Sequence, residues 1–353
     1  MAEQRVVPLT CHGHSRPVTH LNFSPAVDHD QFYMISGCKD NNPMLRDGIT
    51  GDWIGTFIGH KGAVWQVRIS DCASMAATAS ADFSAKIWDC NTGECLATLQ
   101  HEHIVRTIAF PPNNHPLMVA TGGFEKKLRI FDISQYRTSS RVPASASGSA
   151  LVNSSSNDAN SNSSESPTSP DGITSQVSDA GIFEVGEGVH KGAIKSIIWL
   201  PSDTLVTIAD DNKIRWFDIR TQSLLKDYEL TGTIGSCEMN PDGTVISVAA
   251  GKTAYFFSGV EPGQLIKKVE TKYDVSCVAY HAEKRQFVVG GSSDTWVRIY
   301  DYNTGKELEV NRGHHGPVWT VAMTPDGKMY GTGSEDGTVK LWKFTQDPYG
   351  LWK

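Results

Sequence analysis

Histidine, aspartate and hydroxyl side chains occur together at a spacing that could support chemistry. His60 is followed by Thr78 and Ser80, then by Asp82, with Trp88 six positions further on. A histidine, a carboxylate and a hydroxyl are the groups that serine-type hydrolases combine for nucleophilic catalysis. The same residue types also form a buried hydrogen-bond network in repeated β-sheet units, where an unsatisfied member would cost about 1 to 3 kcal/mol.

A second copy of the set decides between these interpretations. His314 is followed by Thr332 or Ser334, Asp336 and Trp342 at the same spacing. An enzyme needs one such set, whereas a structural network recurs from repeat to repeat. We therefore predict no catalytic residues, and we assign six residues to a structural network: His60, Asp82, Trp88, His314, Asp336 and Trp342.

Both sets lie within a longer repeat of the chain. An acidic or small turn residue is followed six positions later by a closing residue, at positions 46, 88, 131, 217, 257, 300 and 342. Successive closing positions are 40 to 43 residues apart, except that 131 and 217 are 86 apart. This period is typical of four-stranded propeller blades. The sequence predicts an all-β fold, a seven-bladed WD-repeat β-propeller.

The closing residue is aromatic in six repeats, and we expect it to pack between neighbouring blades. Blade 1 carries Arg46 at this position, and blades 5 and 6 lack the Gly-His dipeptide that opens blades such as 2 and 7. We therefore expect these three blades to be held less firmly. The segment at residues 5–10 precedes the first Gly-His, so it should supply the outer strand of the last blade and close the ring.

The long gap predicts an insertion within one domain that spans residues 1–353. Residues 133–181 are rich in serine and asparagine and carry few large apolar side chains. Such a composition cannot bury enough surface to offset the entropy lost on ordering. We predict a disordered insertion in blade 3, on the face opposite the Gly-His and Asp turns. Ser166 and Ser169 each precede a proline and are candidate phosphorylation sites.

Composition excludes several classes of function. The chain has 32 Lys and Arg against 39 Asp and Glu, a net charge of −7, which disfavours broad electrostatic capture of DNA, RNA or anionic membrane. Seven cysteines form no CxxC pair, and no long apolar run occurs. We therefore expect no metal site, no cofactor, no disulfide framework and no membrane insertion. A reducing compartment, cytoplasmic and nuclear, fits this composition.

A candidate binding surface follows from the geometry of the repeat. The residue after the first-strand valine and the residue before the turn acid should both point to the narrow rim around the central channel. Aromatic and arginine side chains dominate interface energetics, so a rim that carries both is a candidate hot spot for a partner protein. The predicted rim residues are Trp65, Trp319, Lys39, Arg106, Phe124, Lys195, Asp210, Ser293 and Glu335.

Several longer segments resemble one family of WD-repeat proteins. They are CKDNNPMLR (38–46), GDWIGTFIGHKGAVW (51–65), RGHHGPVWTVAMTPDG (312–327), GSEDGTVKLW (333–342) and YGLWK (349–353). Together they resemble the serine-threonine kinase receptor-associated protein family, also called unr-interacting. GHKGAVW and the opening of blade 7 are also similar to the propeller subunit i of translation initiation factor three, a family in which we know no YGLWK ending.

The resemblance implies a non-enzymatic adaptor in a multiprotein complex. It points to the survival-of-motor-neuron complex, which assembles spliceosomal small nuclear ribonucleoproteins and in which any contact with RNA would be indirect. In animals the resemblance also implies a role in receptor signalling. Two alternatives remain open, a translation-initiation scaffold and an RNA-binding propeller. The long insertion departs from the family pattern.

Overall fold

The computed structural model describes residues 7–113, 115–136 and 182–352, which form 28 β-strands. These strands build seven four-stranded sheets, all antiparallel. The seven-bladed propeller predicted from the repeat is confirmed. The strands of blades 1 to 3, from the channel outward, are β2 (Val18–Phe23), β3 (Tyr33–Cys38), β4 (Met44–Asp47) and β5 (Trp53–Thr56); β6 (Val64–Ile69), β7 (Met75–Ser80), β8 (Ser84–Asp89) and β9 (Cys95–Gln100); and β10 (Val105–Ala109), β11 (Met118–Gly123), β12 (Leu128–Asp132) and β13 (Ile182–Val185).

The remaining blades have the same order. Their strands are β14 (Ile194–Leu200), β15 (Thr204–Ala209), β16 (Lys213–Asp218) and β17 (Ser223–Glu229); β18 (Ile234–Met239), β19 (Val245–Ala250), β20 (Thr253–Ser258) and β21 (Leu265–Glu270); β22 (Val275–His281), β23 (Gln286–Gly291), β24 (Trp296–Asp301) and β25 (Glu307–Arg312); and β26 (Val318–Met323), β27 (Met329–Ser334), β28 (Val339–Lys343) and β1 (Leu9–Cys11). Each innermost strand contacts the innermost strands of both neighbouring blades, so the ring is closed around a channel.

Packing between blades explains the composition of the strands. The middle strands β7 and β8 are buried along their whole length because a neighbouring sheet covers each face, whereas the outer strand β17 is largely exposed. The aromatic closing residues fill the space between the blades. They are all buried, at 5% exposure or less: Trp88, Phe131, Phe217, Phe257, Tyr300 and Trp342.

The N-terminal segment closes the ring, as predicted. β1 pairs with β28 through Leu9 opposite Leu341 and Cys11 opposite Val339. The C-terminal tail does not compete for this edge. It folds back on itself, and the Trp352 indole donates a hydrogen bond of 2.9 Å to the carbonyl of Val7.

The described residues on either side of the insertion lie on the face opposite the turn acids. Phe131 pairs with Ile182 at the end of the β12–β13 ladder, far from the turn that contains Glu125. The predicted boundary at residue 133 needs a correction, because Ile133 is buried at 1% exposure and its amide donates to the carbonyl of Leu117. Residues 133–136 therefore belong to blade 3. Residues 137–181, with Ser166 and Ser169, lie outside the described residues.

Helix is scarce in the structure. Residues Asp28–Asp30 form a short 3-10 segment between β2 and β3. In the described ranges, no helix has both the length and the apolar character that crossing a bilayer requires.

Candidate partner-binding site at the channel mouth

The histidine sets of blades 2 and 7 form internal hydrogen-bond networks. His60 Nδ1 lies 2.8 Å from the Asp82 carboxylate, and its Nε2 lies 2.6 Å from the Thr78 hydroxyl, which also accepts a bond of 2.9 Å from the Trp88 indole. His314, Asp336, Thr332 and Trp342 repeat this arrangement at 3.0, 2.7 and 2.8 Å. Thr78 and Thr332 are fully buried, so a substrate cannot reach either hydroxyl.

Burial fixes the protonation of these networks. It lowers the pKa of His60, and it lowers the pKa of His314 to about 4, despite the adjacent carboxylates. The Asp336 carboxyl is also partly desolvated, but hydrogen bonds from the amides of His315 and Thr338 and from the Thr338 hydroxyl hold its pKa at about 2. At neutral pH each network therefore pairs a neutral imidazole with a carboxylate.

Blades 3, 4 and 6 contain an ion pair that the sequence reasoning missed. In each, an arginine four residues after the turn acid pairs with that acid. The distance from guanidinium nitrogen to carboxylate oxygen is 2.5 Å for Arg129 and Glu125, 2.7 Å for Arg215 and Asp211, and 2.6 Å for Arg298 and Asp294. Arg298 is only 2% exposed. Blade 6, which lacks the Gly-His dipeptide, therefore has an ion pair whose arginine is buried. An acid followed four residues later by arginine was the signal in the sequence.

Blades 1 and 5 have other polar contacts in place of the arginine–acid ion pair. In blade 1, the Arg46 guanidinium is buried and donates to the carbonyls of Gly51 and His12. In blade 5, the Tyr255 hydroxyl accepts a bond of 3.2 Å from the amide of Thr231, which ties β20 to the loop that opens the blade. Each of blades 1, 5 and 6 therefore has a specific polar contact, and the expectation that these blades are held less firmly stays a prediction.

One cluster in blade 1 contains residue types that bind metal. Potential ligand atoms of His14, Cys38 and Asp40 lie within 4.8 Å of one another. Each atom already has a partner in the blade network, because His14 bonds Asp40 at 3.0 Å and Ser36 at 2.7 Å, and Cys38 Sγ bonds the Arg16 carbonyl at 3.0 Å. The cluster is the blade 1 version of the histidine network.

A β-bulge in each innermost strand positions the rim residues. The pairing with the second strand shifts in all seven blades just after the first residue of the inner strand. A bulge changes the direction of the side chain that it carries. The bulged positions include Trp65, Arg106, Lys195 and Trp319, which therefore point to the channel mouth rather than between the blades.

These residues line a cavity of about 650 Å³ at one end of the channel, here called the upper mouth. Its wall includes five of the nine predicted rim residues: Lys39, Trp65, Arg106, Lys195 and Trp319. Trp65 is half-buried, and two cations lie near its ring. The Arg106 guanidinium carbon lies 4.2 Å from the ring centre, and Lys39 Nζ lies 5.8 Å from it. Trp319 is 37% exposed. A cavity of this volume is typical of sites that accept a small molecule or peptide side chain.

The other four predicted rim residues do not line the upper mouth. Asp210 and Glu335 support its walls, since Asp210 pairs with Lys195 at 2.8 Å and Glu335 accepts a hydrogen bond from the Trp319 indole. Phe124 lies further out and stacks on His103 with ring centres 5.3 Å apart. Ser293 is exposed beside the wall residue Ser292.

A buried ionic cluster, which the sequence reasoning missed, lies across the channel below the upper mouth. Glu238 of blade 5 bonds Arg68 of blade 2 and His20 of blade 1, each at 2.7 Å. Although burial opposes ionisation, Arg68 and then His20 hold the pKa of the Glu238 carboxyl at about 2, whereas burial lowers the pKa of His20. A neutral His20 therefore donates to an ionised Glu238 at neutral pH. The signal was a set of ionisable residues, His20, Arg68 and Glu238, in the innermost strands.

A second cavity of about 430 Å³ opens at the other end of the channel, with Arg68 and Glu238 in its wall. Its wall includes the apolar side chains of Phe110, Trp199 and Tyr280. Asp71 also lies there, and burial raises the pKa of its carboxyl to about 6. The two cavities share Glu238, so the ionic cluster separates the upper mouth from this lower cavity.

Comparison with known proteins identifies the repeats and the family. The model of the WD domain, G-beta repeat, matches residues 51–89, 93–132, 263–301 and 305–343. The serine-threonine kinase receptor-associated protein of Gallus gallus is 39% identical over 350 residues, which cover 99% of this chain and 86% of the relative. That of Dictyostelium discoideum is 37% identical, over 95% of this chain and 98% of the relative.

The chain is also similar to a second group of propellers. Eukaryotic translation initiation factor 3 subunit I of Culex quinquefasciatus is 26% identical over 97% of this chain and 98% of the relative. This identity is well below that of the first group, over nearly the same length. The chain therefore belongs to the serine-threonine kinase receptor-associated protein family of WD-repeat proteins.

Proposed function

We propose that the chain is a non-enzymatic scaffold that binds a partner protein at the upper mouth. The observation that carries the proposal is the cavity of about 650 Å³, whose wall brings together two tryptophans and the cationic side chains of Lys39 and Arg106. Aromatic and arginine residues are the usual anchors of protein interfaces. The buried networks of His60 and His314 leave no open nucleophile, which favours binding over catalysis.

The favoured process is assembly of spliceosomal ribonucleoproteins in a complex of the survival-of-motor-neuron type, in the cytoplasm and nucleus. Membership of the family supports this proposal, because the resemblance of segments such as 38–46 and 349–353 implies that role. Contact with RNA would then be made by partner proteins. A signalling role at a kinase receptor, as the relatives' name indicates, is the corresponding role in animals.

A translation-initiation scaffold is the second candidate. The 26% identity to initiation factor 3 subunit I over nearly the whole chain favours it. Co-sedimentation with ribosomal subunits would support this candidate. Salt-sensitive binding of RNA by the purified protein would instead support an RNA-binding propeller.

The test is affinity purification of the tagged full-length protein from its own cells, followed by mass spectrometry. The proteins that co-purify with the wild type should be lost from a variant with Trp65→Ala and Trp319→Ala. Trp53→Ala is the matched control, because Trp53 is 56% exposed on the outer strand of blade 1, away from the upper mouth. Retention of the same partners by a folded double variant would overturn the proposal.

A further inference from the structure

Arg106 at the upper mouth has no counter-ion. Within the described residues, no carboxylate oxygen lies within 4.0 Å of the Arg106 guanidinium, and its Nε is buried without a hydrogen-bond partner. Burial lowers the pKa of Arg106, and only the more distant Asp210 opposes this effect. A partly desolvated charge without a partner is unfavourable unless a ligand supplies one.

The neighbouring charges are already paired. Lys195 bonds Asp210 at 2.8 Å and the carbonyl of Ile234 at 3.0 Å, and Arg68 bonds Glu238 at 2.7 Å. Lys39 is the other exception, because no carboxylate lies within 4.0 Å of its Nζ in the part of the chain that the structure describes. The two cations without counter-ions therefore flank the same aromatic ring, that of Trp65.

The cation–π contact with Trp65 holds Arg106 at the upper mouth. The guanidinium carbon lies 4.2 Å from the centre of the Trp65 ring. The terminal nitrogens of a guanidinium held in this way can donate hydrogen bonds to the two oxygens of a carboxylate. Fixing the side chain in advance also reduces the entropy lost on binding.

We infer that Arg106 and Lys39, supported by Trp65, bind a glutamate or aspartate side chain from an acidic segment of the partner protein. The inference rests on the proposed function and specifies the chemistry of the partner. In this arrangement Arg106 binds the carboxylate, Lys39 attracts its negative charge, and Trp65 packs against the apolar part of the acidic side chain.

The surrounding charges favour a peptide over a nucleic acid. Asp274 lines the same cavity, and the exposed carboxylates of Asp210 and Glu335 lie beside its walls. A chain of phosphates would meet these carboxylates, whereas a peptide can place one carboxylate on Arg106 and neutral or basic residues next to it. Two free cations are also few for a ligand whose affinity depends on neutralising many phosphates.

The experiment compares two libraries of short random peptides, one with a fixed central glutamate and one with a fixed central glutamine. The full-length wild-type protein should retain the glutamate library about tenfold better, as expected for a hydrogen-bonded ion pair. Arg106→Gln should abolish this preference, and Arg106→Lys should restore part of it. Arg220→Gln is the matched control, because Arg220 is an exposed arginine that pairs with Asp203 in blade 4.

The melting temperature of a further variant tests for a merely structural role. Arg106→Met should leave the melting temperature unchanged or raise it, because it removes a charge that lacks a counter-ion. A fall of many degrees would overturn the inference. Equal retention of the two libraries by the wild type, or a glutamate preference that survives in Arg106→Gln, would also overturn it.

A last comparison separates this inference from the proposed function. If the double tryptophan variant loses the native partners while the wild type shows no glutamate preference, the carboxylate assignment fails and the scaffold stands. If the tryptophan variant keeps its partners, the proposed site itself fails. Binding of oligouridylate that Arg106→Gln abolishes would replace the acidic peptide with RNA and overturn the inference.

Discussion

The Arg68 guanidinium lies 2.7 Å from the Glu238 carboxylate, although the two residues are 170 positions apart and belong to blades 2 and 5. The contact crosses the channel rather than following the ring, and His20 of blade 1 joins it from the side. Neighbouring blades pack through apolar surfaces, whereas this cluster connects blade 5 with blades 1 and 2, which are not its neighbours. It also closes the floor of the upper mouth.

Removing one partner of this cluster should be costly. Glu238→Gln keeps the shape of the side chain but leaves Arg68 with no counter-ion at 13% side-chain exposure. We expect a loss of about 3 to 5 kcal/mol in the free energy of unfolding. Urea denaturation followed by tryptophan fluorescence measures this loss.

Replacing both partners should cost less than replacing one, since no buried charge is left alone. Arg68→Met with Glu238→Gln should therefore recover part of the stability that Glu238→Gln loses. Asp203→Asn is the control, because the Asp203–Arg220 pair has the similar distance of 2.8 Å but is exposed to solvent, and we expect no measurable change there. A Glu238→Gln variant as stable as the wild type would contradict a structural role of the cluster.

Ring closure depends on β1. Deleting residues 1–10 should lower the melting temperature by about 10 °C and promote aggregation, because it exposes the edge of β28 and removes the bond of 2.7 Å between Lys340 Nζ and Thr10. Thermal unfolding and light scattering measure the two effects. Leu351→Ala, a change of a tail residue at 59% exposure, is the control. Unchanged melting and scattering would show that closure does not need this strand.

The insertion should be dispensable for folding. Deleting residues 137–180 should change the melting temperature by less than about 3 °C. Phe131 and Ile182, which precede and follow the deletion, are paired at the end of the β12–β13 ladder, so a short loop can join the two strands. A large loss would show that the segment packs on the ring. Phosphopeptide mapping tests Ser166 and Ser169, and finding neither serine modified under any growth condition would remove them as sites.

Features that repeat along the chain could be predicted from the sequence. The closing residues recur every 40 to 43 positions, so Trp88 and Trp342 identified the blades and their networks. The rim positions of Trp65 and Trp319 followed from the same register. The Asp294–Arg298 pair could also have been predicted, because its members are four residues apart, but it is independent of the Gly-His pattern.

Contacts that do not repeat could not be predicted. No spacing connects Arg68 with Glu238, because the pairing depends on which blades face each other across the channel. The lack of a counter-ion at Arg106 could not be predicted either, since the sequence is equally compatible with pairing of Asp210 with Arg106 or with Lys195. Such features depend on the three-dimensional closure of the ring.

Buried neutral histidines should make the fold sensitive to mild acid. Burial lowers the pKa of His20 and His60, and lowers that of His190 and His314 to about 4, from an ordinary value near 6.5. The unfolded chain therefore binds more protons than the folded chain once the pH falls below 6.5, and stability is lost on acidification. The histidines with a pKa near 4 should cost roughly 2 kcal/mol each at pH 5.

The prediction is that the melting temperature falls between pH 7 and pH 5. The network carboxyls of Asp40, Asp336 and Glu125, with pKa values near 2, contribute little in this window because their stabilisation is lost only below about pH 4. Asp71 acts in the opposite direction, since its raised pKa favours the folded state on acidification, but it is one group against four. His190→Gln should lower the melting temperature at pH 7 and reduce its change between pH 7 and pH 5. A variant with the same pH dependence as the wild type would show that His190 is not neutral in the folded protein.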